Sequence, residues 1–241
     1  MKKLLALLLG LAVILALPAG TAEKAPEKLT CGDFEYILKD DGTAEIVGYT
    51  GTAETLDIPD ALDGHAVTGI DDWAFSHYNR LTSIAIPDGV TTIGINPFWG
   101  CYHLSRITVS PDHPVLATID GVLFSKADKL LVCYPSGLSD EAYAIPQGIE
   151  IIGDSAFSAC RSLTSVAIPD SVTAIGESAF YFCAGLKSVT LPGSVTAIGI
   201  DAFSDCPNLI LTVPRDSCAA EYCRENGLNY TYPDANDWLN N

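Results

Sequence analysis

The chain of 241 residues is 48% hydrophobic, and its 30 acidic residues against 13 basic residues give a formal net charge of −17 at pH 7. A surface this negative repels phosphate backbones and anionic lipid headgroups, so the composition argues against nucleic acid as a partner. The excess charge has two explanations, namely the solubility of an exported protein and an acidic binding face.

The first 22 residues have the order of a secretory signal peptide. A basic start leads into an apolar run from Leu4 to Leu17, and small residues follow Pro18. We predict cleavage after Ala22, which leaves residues 23–30 as a linker. The alternative is a retained membrane anchor, although the run is shorter than the roughly 20 residues that span a bilayer. The chain is therefore predicted to be secreted or displayed at the cell surface.

Residues 31–52 are predicted to form a β-hairpin that caps the N-terminal end of the fold. Apolar and polar residues alternate on both sides of Asp41-Gly42. An Asp-Gly pair between two alternating segments is a strong hairpin signal. A cap is expected here because a stack of coils would otherwise expose its strand edges.

From residue 53 to residue 208 the sequence repeats with a period of 23 residues. The repeat is plainest where "LTSVAIPDSVTAIGESAFYFCAG" (163–185) is followed by "LKSVTLPGSVTAIGIDAFSDCPN" (186–208). A period of this length is typical of a solenoid, in which stacked coils enclose one continuous core. Phenylalanine recurs at one position of five copies, as Phe75, Phe98, Phe157, Phe180 and Phe203.

Each copy is predicted to form one coil of two short strands and a helical turn. In residues 163–185, Val166 and Ile168 alternate with small or polar residues, as on a strand with one buried face, and Pro169 ends that strand. "SVTAIG" then gives a second extended stretch. "ESAFYFC" has the i, i+3, i+4 spacing of a helical turn that would direct Phe180 and Cys183 inward. The sequence thus predicts a mainly β solenoid.

Two segments interrupt the regular repeat. The first copy carries an extra loop at Asp60–Ala66, before its Ala-Phe pair. Between residues 107 and 137, Asp120-Gly121 is followed by "VLFS", "KADK" and "LLVCYP". This order predicts a hairpin inserted within or between coils.

Cysteine also follows the period. Cys101, Cys160, Cys183 and Cys206 occupy one position of their copies, among eight cysteines in all. Adjacent coils would bring these cysteines close enough to bridge, but parallel Cβ vectors disfavour a disulfide. We predict buried free thiols, with cross-coil disulfides as the alternative. The spacing also lacks the CxxC pairs of a zinc site.

Residues 209–241 are predicted to form a C-terminal cap and tail. The pattern indicates a helix from about Ser217 to Asn226, which Gly227 ends, and then a last strand. Cys218 and Cys223 lie on this helix and are predicted to be packing residues.

The pattern C-x-x-L-x-x-V-x-I-P-x-x-V-x-x-I-G-x-x-A-F resembles the BspA-like leucine-rich repeat proteins. It occurs from Cys160 to Phe180 and, with Leu for the Ile before proline, from Cys183 to Phe203. The resemblance covers residues 32–232. It implies a leucine-rich repeat solenoid in a secreted or surface protein of bacteria, and adhesion to matrix proteins or other bacteria is implicated for a few members. The family shares no catalytic residues, so the resemblance implies no enzyme and no cofactor.

The residue types that catalyse reactions or bind metals form no recognised constellation in this sequence. The four histidines have no partner at a catalytic or metal-binding spacing, and the G-x-S-x-G and H-E-x-x-H motifs are absent from the sequence. "KDDGTAEI" is explained by a hairpin turn, and "DANDW" lacks the glycine and distal glutamate of a calcium loop. We therefore predict no catalytic residue, metal site or cofactor.

Aromatic side chains gather at the predicted helical-turn edge, where other copies carry small residues. The candidate partner-binding residues are Trp73, His77, Trp99, Tyr102, Tyr181 and Phe182. Exposed aromatic residues often anchor interfaces and sugar rings. In the alternative interpretation, these rings cover the inserted hairpin and the Asp60–Ala66 loop.

The sequence therefore predicts a secreted or surface-exposed, non-enzymatic module that recognises a protein or glycan through one edge of the solenoid. The partner is expected at a cell surface or in the extracellular matrix, with no membrane insertion of the mature chain. The alternative is a structural or self-associating surface protein without a host ligand. A hydrolase with an unrecognised site is a third hypothesis.

Overall fold

The computed structural model describes residues 26–233, which form a mainly β solenoid with one helix. The predicted signal peptide and the end of the predicted tail lie outside the described residues. The elements in chain order are β1 (Leu29–Cys31), β2 (Phe34–Leu38), β3 (Ala44–Tyr49), β4 (Thr55–Asp57), β5 (Ala61–Leu62), β6 (His65–Ile70), β7 (Ser83–Ala85), β8 (Thr92–Ile93), β9 (Arg106–Thr108), β10 (Leu116–Ile119), β11 (Val122–Ser125), β12 (Leu130–Cys133), β13 (Ala142–Ala144), β14 (Ile151–Ile152), β15 (Ser165–Ala167), β16 (Ala174–Ile175), β17 (Ser188–Thr190), β18 (Ala197–Ile198), β19 (Ile210–Thr212), α1 (Cys218–Glu225) and β20 (Tyr230–Thr231).

Each regular coil contributes two short strands, and the strands of successive coils pair in parallel. In the first position, β4, β7 and β9 form one sheet, and β13, β15, β17, β19 and β20 form another. In the second position, β12, β14, β16 and β18 form a parallel ladder. The register follows the period of the sequence, since Val166 pairs with Val189 and Ile152 with Ile175, each 23 residues on. The predicted solenoid is confirmed.

Stacked aromatic rings form a column in the core, in two runs that the inserted segment separates: Phe75 with Phe98, and Tyr134 with Phe157, Phe180 and Phe203. The buried side chains divide into two clusters at the same place, instead of the single continuous core that the repeat predicts. The Phe180 ring lies 4.8 Å from the Phe157 ring and 5.0 Å from the Phe203 ring, nearly parallel to both. Tyr134, which the sequence analysis did not place in this column, stacks 5.2 Å from Phe157. The inward direction of the phenylalanines agrees with the repeat pattern.

The predicted helical turn is wrong. Ser178 and Phe182 adopt positive φ angles of 53° and 59°, which a right-handed helix does not contain. The N–H groups of Ser178, Phe180 and Phe182 donate to carbonyl oxygens of the next coil at 2.7–3.0 Å, instead of to their own turn. The other coils repeat these two left-handed positions at Trp73 and His77, Asn96 and Gly100, Ser155 and Ala159, and Asp201 and Asp205. A helical turn and this paired turn bury the same residues, so the periodicity could not separate them.

Both ends of the solenoid carry caps. At the N-terminal end, β2 and β3 form a hairpin, and β3 pairs in parallel with β6 of the first coil. An additional strand, β1, begins at Leu29, inside the segment predicted as a linker. At the C-terminal end, the Ser217 hydroxyl accepts the N–H of Ala220 and caps α1, while Gly227 follows that helix with φ 64°.

The two interruptions contain more strands than the sequence predicted. The Asp60–Ala66 loop is itself a hairpin of β5 and β6, whose turn residues Asp63 and Gly64 both have positive φ. The inserted segment is a three-stranded antiparallel meander, β10-β11-β12, and not the single hairpin that was predicted. Its last strand, β12, also serves as the second strand of a coil, which a hairpin signal alone does not reveal.

The cysteines are free thiols, and the repeated ones bond to the backbone of the preceding coil. Each of Cys101, Cys183 and Cys206 directs its Sγ at the carbonyl oxygen of a column phenylalanine, at 3.0 Å. Burial raises the pKa of Cys101 to about 12. The thiol therefore stays protonated at neutral pH and acts as a donor inside the core.

Replacing Phe180 with alanine should lower the free energy of unfolding by about 3–5 kcal/mol, because it removes a fully buried ring from between two stacked neighbours. Urea denaturation followed by circular dichroism would measure the change. The control is Ile200→Ala, since Ile200 is 72% exposed and its loss should cost less than about 0.5 kcal/mol. Equal urea midpoints for the two variants would contradict the assignment of Phe180 to the buried column.

Alkylation at pH 8 should divide the eight cysteines into two groups. Cys31, Cys206 and Cys218 are partly exposed and should react in the native protein. The five buried thiols should react only after unfolding, because the thiolate is the reactive form and burial suppresses it. Peptide mapping by mass spectrometry would locate the labels. A disulfide-linked peptide in the unreduced protein would contradict the free-thiol assignment.

Candidate functional site

One coil of the solenoid lacks its outer corner, which is the outward turn that the other coils form between their second strand and their column aromatic. Leu131 of β12 pairs with Ile152 of β14, and the N–H of Tyr134 donates to the carbonyl of Ala156. Two residues separate Leu131 from Tyr134, whereas four separate Ile152 from Phe157. The Tyr134 coil therefore keeps its strand and its column aromatic but omits the two residues that turn outward elsewhere.

Two side chains span this shortened coil. The Asn96 side-chain amide donates to the Ser155 carbonyl at 2.6 Å, and the Trp99 indole N–H donates to the Ser158 hydroxyl at 3.1 Å. Both bonds join residues 59 positions apart that occupy equivalent places in their coils. They connect the coils on either side of the missing corner and hold them at a fixed separation.

The missing corner leaves a groove on the turn edge of the solenoid. The groove encloses about 320 Å³, and Trp73, Trp99 and Tyr181 form its aromatic walls. Asp154 and Glu177 also line it. A depression of this size with a few polar groups falls in the range of small ligand sites. We refer to these five residues as the aromatic groove.

Edge-to-face contacts fix the rings at one side of the aromatic groove. The Trp99 ring lies 6.0 Å from the Trp73 ring at 85° and 4.5 Å from the His77 ring at 80°. Edge-to-face pairs are favourable because the positive ring edge meets the negative ring face. Trp73 remains 40% exposed, so its indole is available to a ligand.

Tyr102 and Phe182 belong to a second aromatic cluster. The guanidinium of Arg161 lies between them, 5.1 Å from the centre of the Tyr102 ring and 4.9 Å from the centre of the Phe182 ring. A cation over the face of an aromatic ring is attracted by the ring quadrupole. We call this group the arginine clamp; both of its rings are exposed by more than a third.

The carboxylates of the groove are anchored through single oxygen atoms. Asp154 Oδ1 accepts the N–H of Glu177 at 2.7 Å, and Asp72 Oδ1 accepts the N–H of Ile95 at 2.7 Å in the adjoining depression. A contact with the Asp205 carboxylate raises the pKa of the Tyr181 hydroxyl, which therefore stays protonated at neutral pH. The surface of the groove is aromatic and negatively charged.

The structure divides the six candidate residues between two places. Trp73, His77, Trp99 and Tyr181 lie at or beside the aromatic groove, and Tyr102 and Phe182 form the arginine clamp. The hydrogen bonds, ring pairs and cation contacts of these side chains include one another, Ser158, Asp205 and Arg161. The alternative interpretation, in which the rings cover the inserted hairpin and the Asp60–Ala66 loop, stays a prediction.

Sequence reasoning missed Asn96, Ser158, Asp154 and Glu177. The sequence signal for the missing corner is the short spacing between Leu131 and Tyr134, two residues where a regular copy has four. Within residues 26–233, no group of three or more His, Cys, Asp or Glu side chains is placed to hold a metal ion. Across the same residues, helices long and apolar enough to cross a bilayer are absent.

The chain matches the model of the BspA type leucine-rich repeat region in six copies, over residues 50–139 and 132–218. A leucine-rich cell surface protein of Faecalibacterium prausnitzii is 33% identical, with a TM-score of 0.52 over 80% of this chain and 56% of its own. This chain thus spans just over half of that protein. No curated protein matches.

A leucine-rich repeat protein of Eubacterium ventriosum shares the fold with a TM-score of 0.56 at 18% identity. The match covers 77% of this chain and 71% of that one.

Asn96→Ala should lower the free energy of unfolding by about 1–3 kcal/mol, because it removes a buried bond across the shortened coil and leaves the Ser155 carbonyl without that donor. Asn208→Ala is the matched control, since the Asn208 amide donates to the Ala184 carbonyl at an exposed position. Its loss should cost less than about 0.5 kcal/mol. Equal urea midpoints for both variants would contradict the bridging role.

Proposed function

Because this chain belongs to the BspA-type leucine-rich repeat family, we propose that it is a surface-displayed or secreted binding module that recognises a protein or glycan through the aromatic groove. The matched region is a leucine-rich repeat, which we take to bind a partner and not to catalyse a reaction, and the related Faecalibacterium protein is described as a leucine-rich cell surface protein. The groove is the observation that carries the proposal.

The aromatic groove has three properties that favour ligand binding over a purely structural role. Its lining residues come from the two coils before the shortened coil and the two coils after it, so a ligand would contact several coils at once. Trp73, Trp99 and Tyr181 supply large, rigid rings of the kind that dominate binding energies. Edge-to-face contacts and the bond to Ser158 hold the rings in place, so binding orders few side chains.

Binding should depend on the aromatic groove and not on the arginine clamp. The chain from Glu23 to Asn241 would be applied to arrays of extracellular-matrix proteins and glycans, beside two double variants. Trp73→Ala/Tyr181→Ala removes two groove rings, and Tyr102→Ala/Phe182→Ala removes the two clamp rings. We expect the groove variant to lose about tenfold or more in affinity, as removal of interface anchors does, and the clamp variant to stay within about twofold.

Circular dichroism melts would show that both variants remain folded. Loss of binding in the clamp variant alone would move the site to Arg161 and contradict the proposal. An array on which the wild-type chain binds nothing would also contradict it. Concentration-dependent light scattering would then test the self-associating alternative.

A further inference from the structure

We infer that the aromatic groove takes a cationic side chain, and that the partner is a polypeptide segment carrying lysine or arginine. The inference rests on the proposed function and specifies the chemistry of its ligand. It is carried by the charges of the groove, by the ring faces beside those charges, and by a cation that the same edge already holds.

The groove and the depression beside it present carboxylates without a compensating cation. Asp154 and Glu177 line the groove, and Asp72, Asp128 and Asp154 line the adjoining depression. Among the described residues that line the two spaces, none is a lysine or an arginine. The observed bonds to Asp72, Asp128 and Asp154 use one oxygen of each carboxylate. The second oxygens and the Glu177 carboxylate can therefore receive charged donors from a ligand.

The aromatic rings of the groove attract the same kind of group. Indole and phenol faces are negative, and a lysine or guanidinium cation is stabilised within about 6 Å of a ring centre. Trp73 is 40% exposed, and Asp154 and Glu177 line the same space. A neutral sugar could stack on these rings and donate hydroxyl hydrogen bonds to the carboxylates, but only a cation also neutralises their charge, so the groove favours a cation.

The arginine clamp shows that this edge of the solenoid accommodates a guanidinium between aromatic rings. Arg161 lies about 5 Å from each of the two clamp rings, Tyr102 and Phe182. The clamp and the groove share the turn edge, and Tyr181 of the groove is adjacent in sequence to Phe182 of the clamp. The clamp is filled by the chain's own arginine, whereas the residues lining the groove supply no such group.

Net charge adds to the local preference. The chain carries a formal charge of −17 at pH 7, which raises the local concentration of basic segments and excludes acidic ones. Basic polypeptide is therefore favoured as the partner on encounter as well as in the groove, and binding should weaken as salt is added.

Tryptophan fluorescence can report on the groove directly. Trp73, Trp99 and Trp238 are the three tryptophans of the sequence, so Trp238→Phe leaves only the two groove indoles. In this background, a peptide of alternating glycine and lysine would be titrated beside the same peptide with every lysine Nε-acetylated. A panel of neutral oligosaccharides forms the third arm. We expect a saturable change with the lysine peptide and about tenfold weaker binding of its acetylated form.

Two matched charge variants test the carboxylates. Asp154→Asn/Glu177→Gln removes two negative charges from the groove and keeps the Oδ1 acceptor for the Glu177 N–H. Asp57→Asn/Glu225→Gln removes two charges from exposed positions outside it. We expect about tenfold weaker binding of the lysine peptide in the first variant and a change within about twofold in the second.

The outcomes separate this inference from the proposed function. Equal binding of the lysine and acetyllysine peptides, or equal losses in the two charge variants, overturns the cationic ligand and leaves aromatic recognition standing. Preferential binding of an oligosaccharide overturns it in favour of a glycan. Absence of any signal with the lysine peptide also overturns it, and the array measurement then decides the proposed function independently.

Discussion

The constraint on which this structure depends is the register between coils. Each coil is too small to enclose its own apolar side chains, and the backbone donors of its turn are satisfied by carbonyls of the next coil. Both requirements are met only if successive coils follow the same path. Stacked rings about 5 Å apart, such as Phe157, Phe180 and Phe203, are the visible result. A change of length inside one coil must therefore be absorbed where it disturbs neither the column nor the ladders.

The Tyr134 coil shows how a change of length inside one coil creates a groove at the surface. It keeps β12 paired with β14 and Tyr134 stacked on Phe157, while Val132 and Cys133 of the same segment belong to the buried cluster of the preceding coils. The coil is therefore the boundary at which the two core clusters meet. Relative to a regular coil, it gains the residues of the β10-β11 hairpin and lacks two residues of the outer corner. Asn96 and Trp99 then reach the coil beyond, and the space left between the flanking corners is the aromatic groove. The groove is thus a consequence of an irregular coil in a regular array.

The sequence predicts what the register controls and little else. The 23-residue period places Val166, Phe180 and Cys183 in the core, and the Asp-Gly and Ser…Gly signals place the hairpin and the helix of the two caps. The paired left-handed turn was not predictable from periodicity, because it buries the same positions as a helical turn. The groove was not predictable either, since it joins residues 59 apart whose proximity depends on two residues that are absent from the coil between them.

The residue types at the left-handed positions show which side chains the turn requires and which it only tolerates. A non-glycine residue there costs about 1–2 kcal/mol, and the coils meet this cost most cheaply with Gly100, or with Asp205, whose type tolerates the conformation. His77 and Phe182 occupy the same position as these two residues, and Trp73 occupies the other left-handed position of its coil, where the last coil has Asp201. Bulky rings at these places are not demanded by the backbone, since coils without them stack equally well. The turn accepts them because hydrogen bonds to the neighbouring coils hold its backbone in this conformation. The side chains lie on the outer edge of the solenoid, where a ligand can contact them.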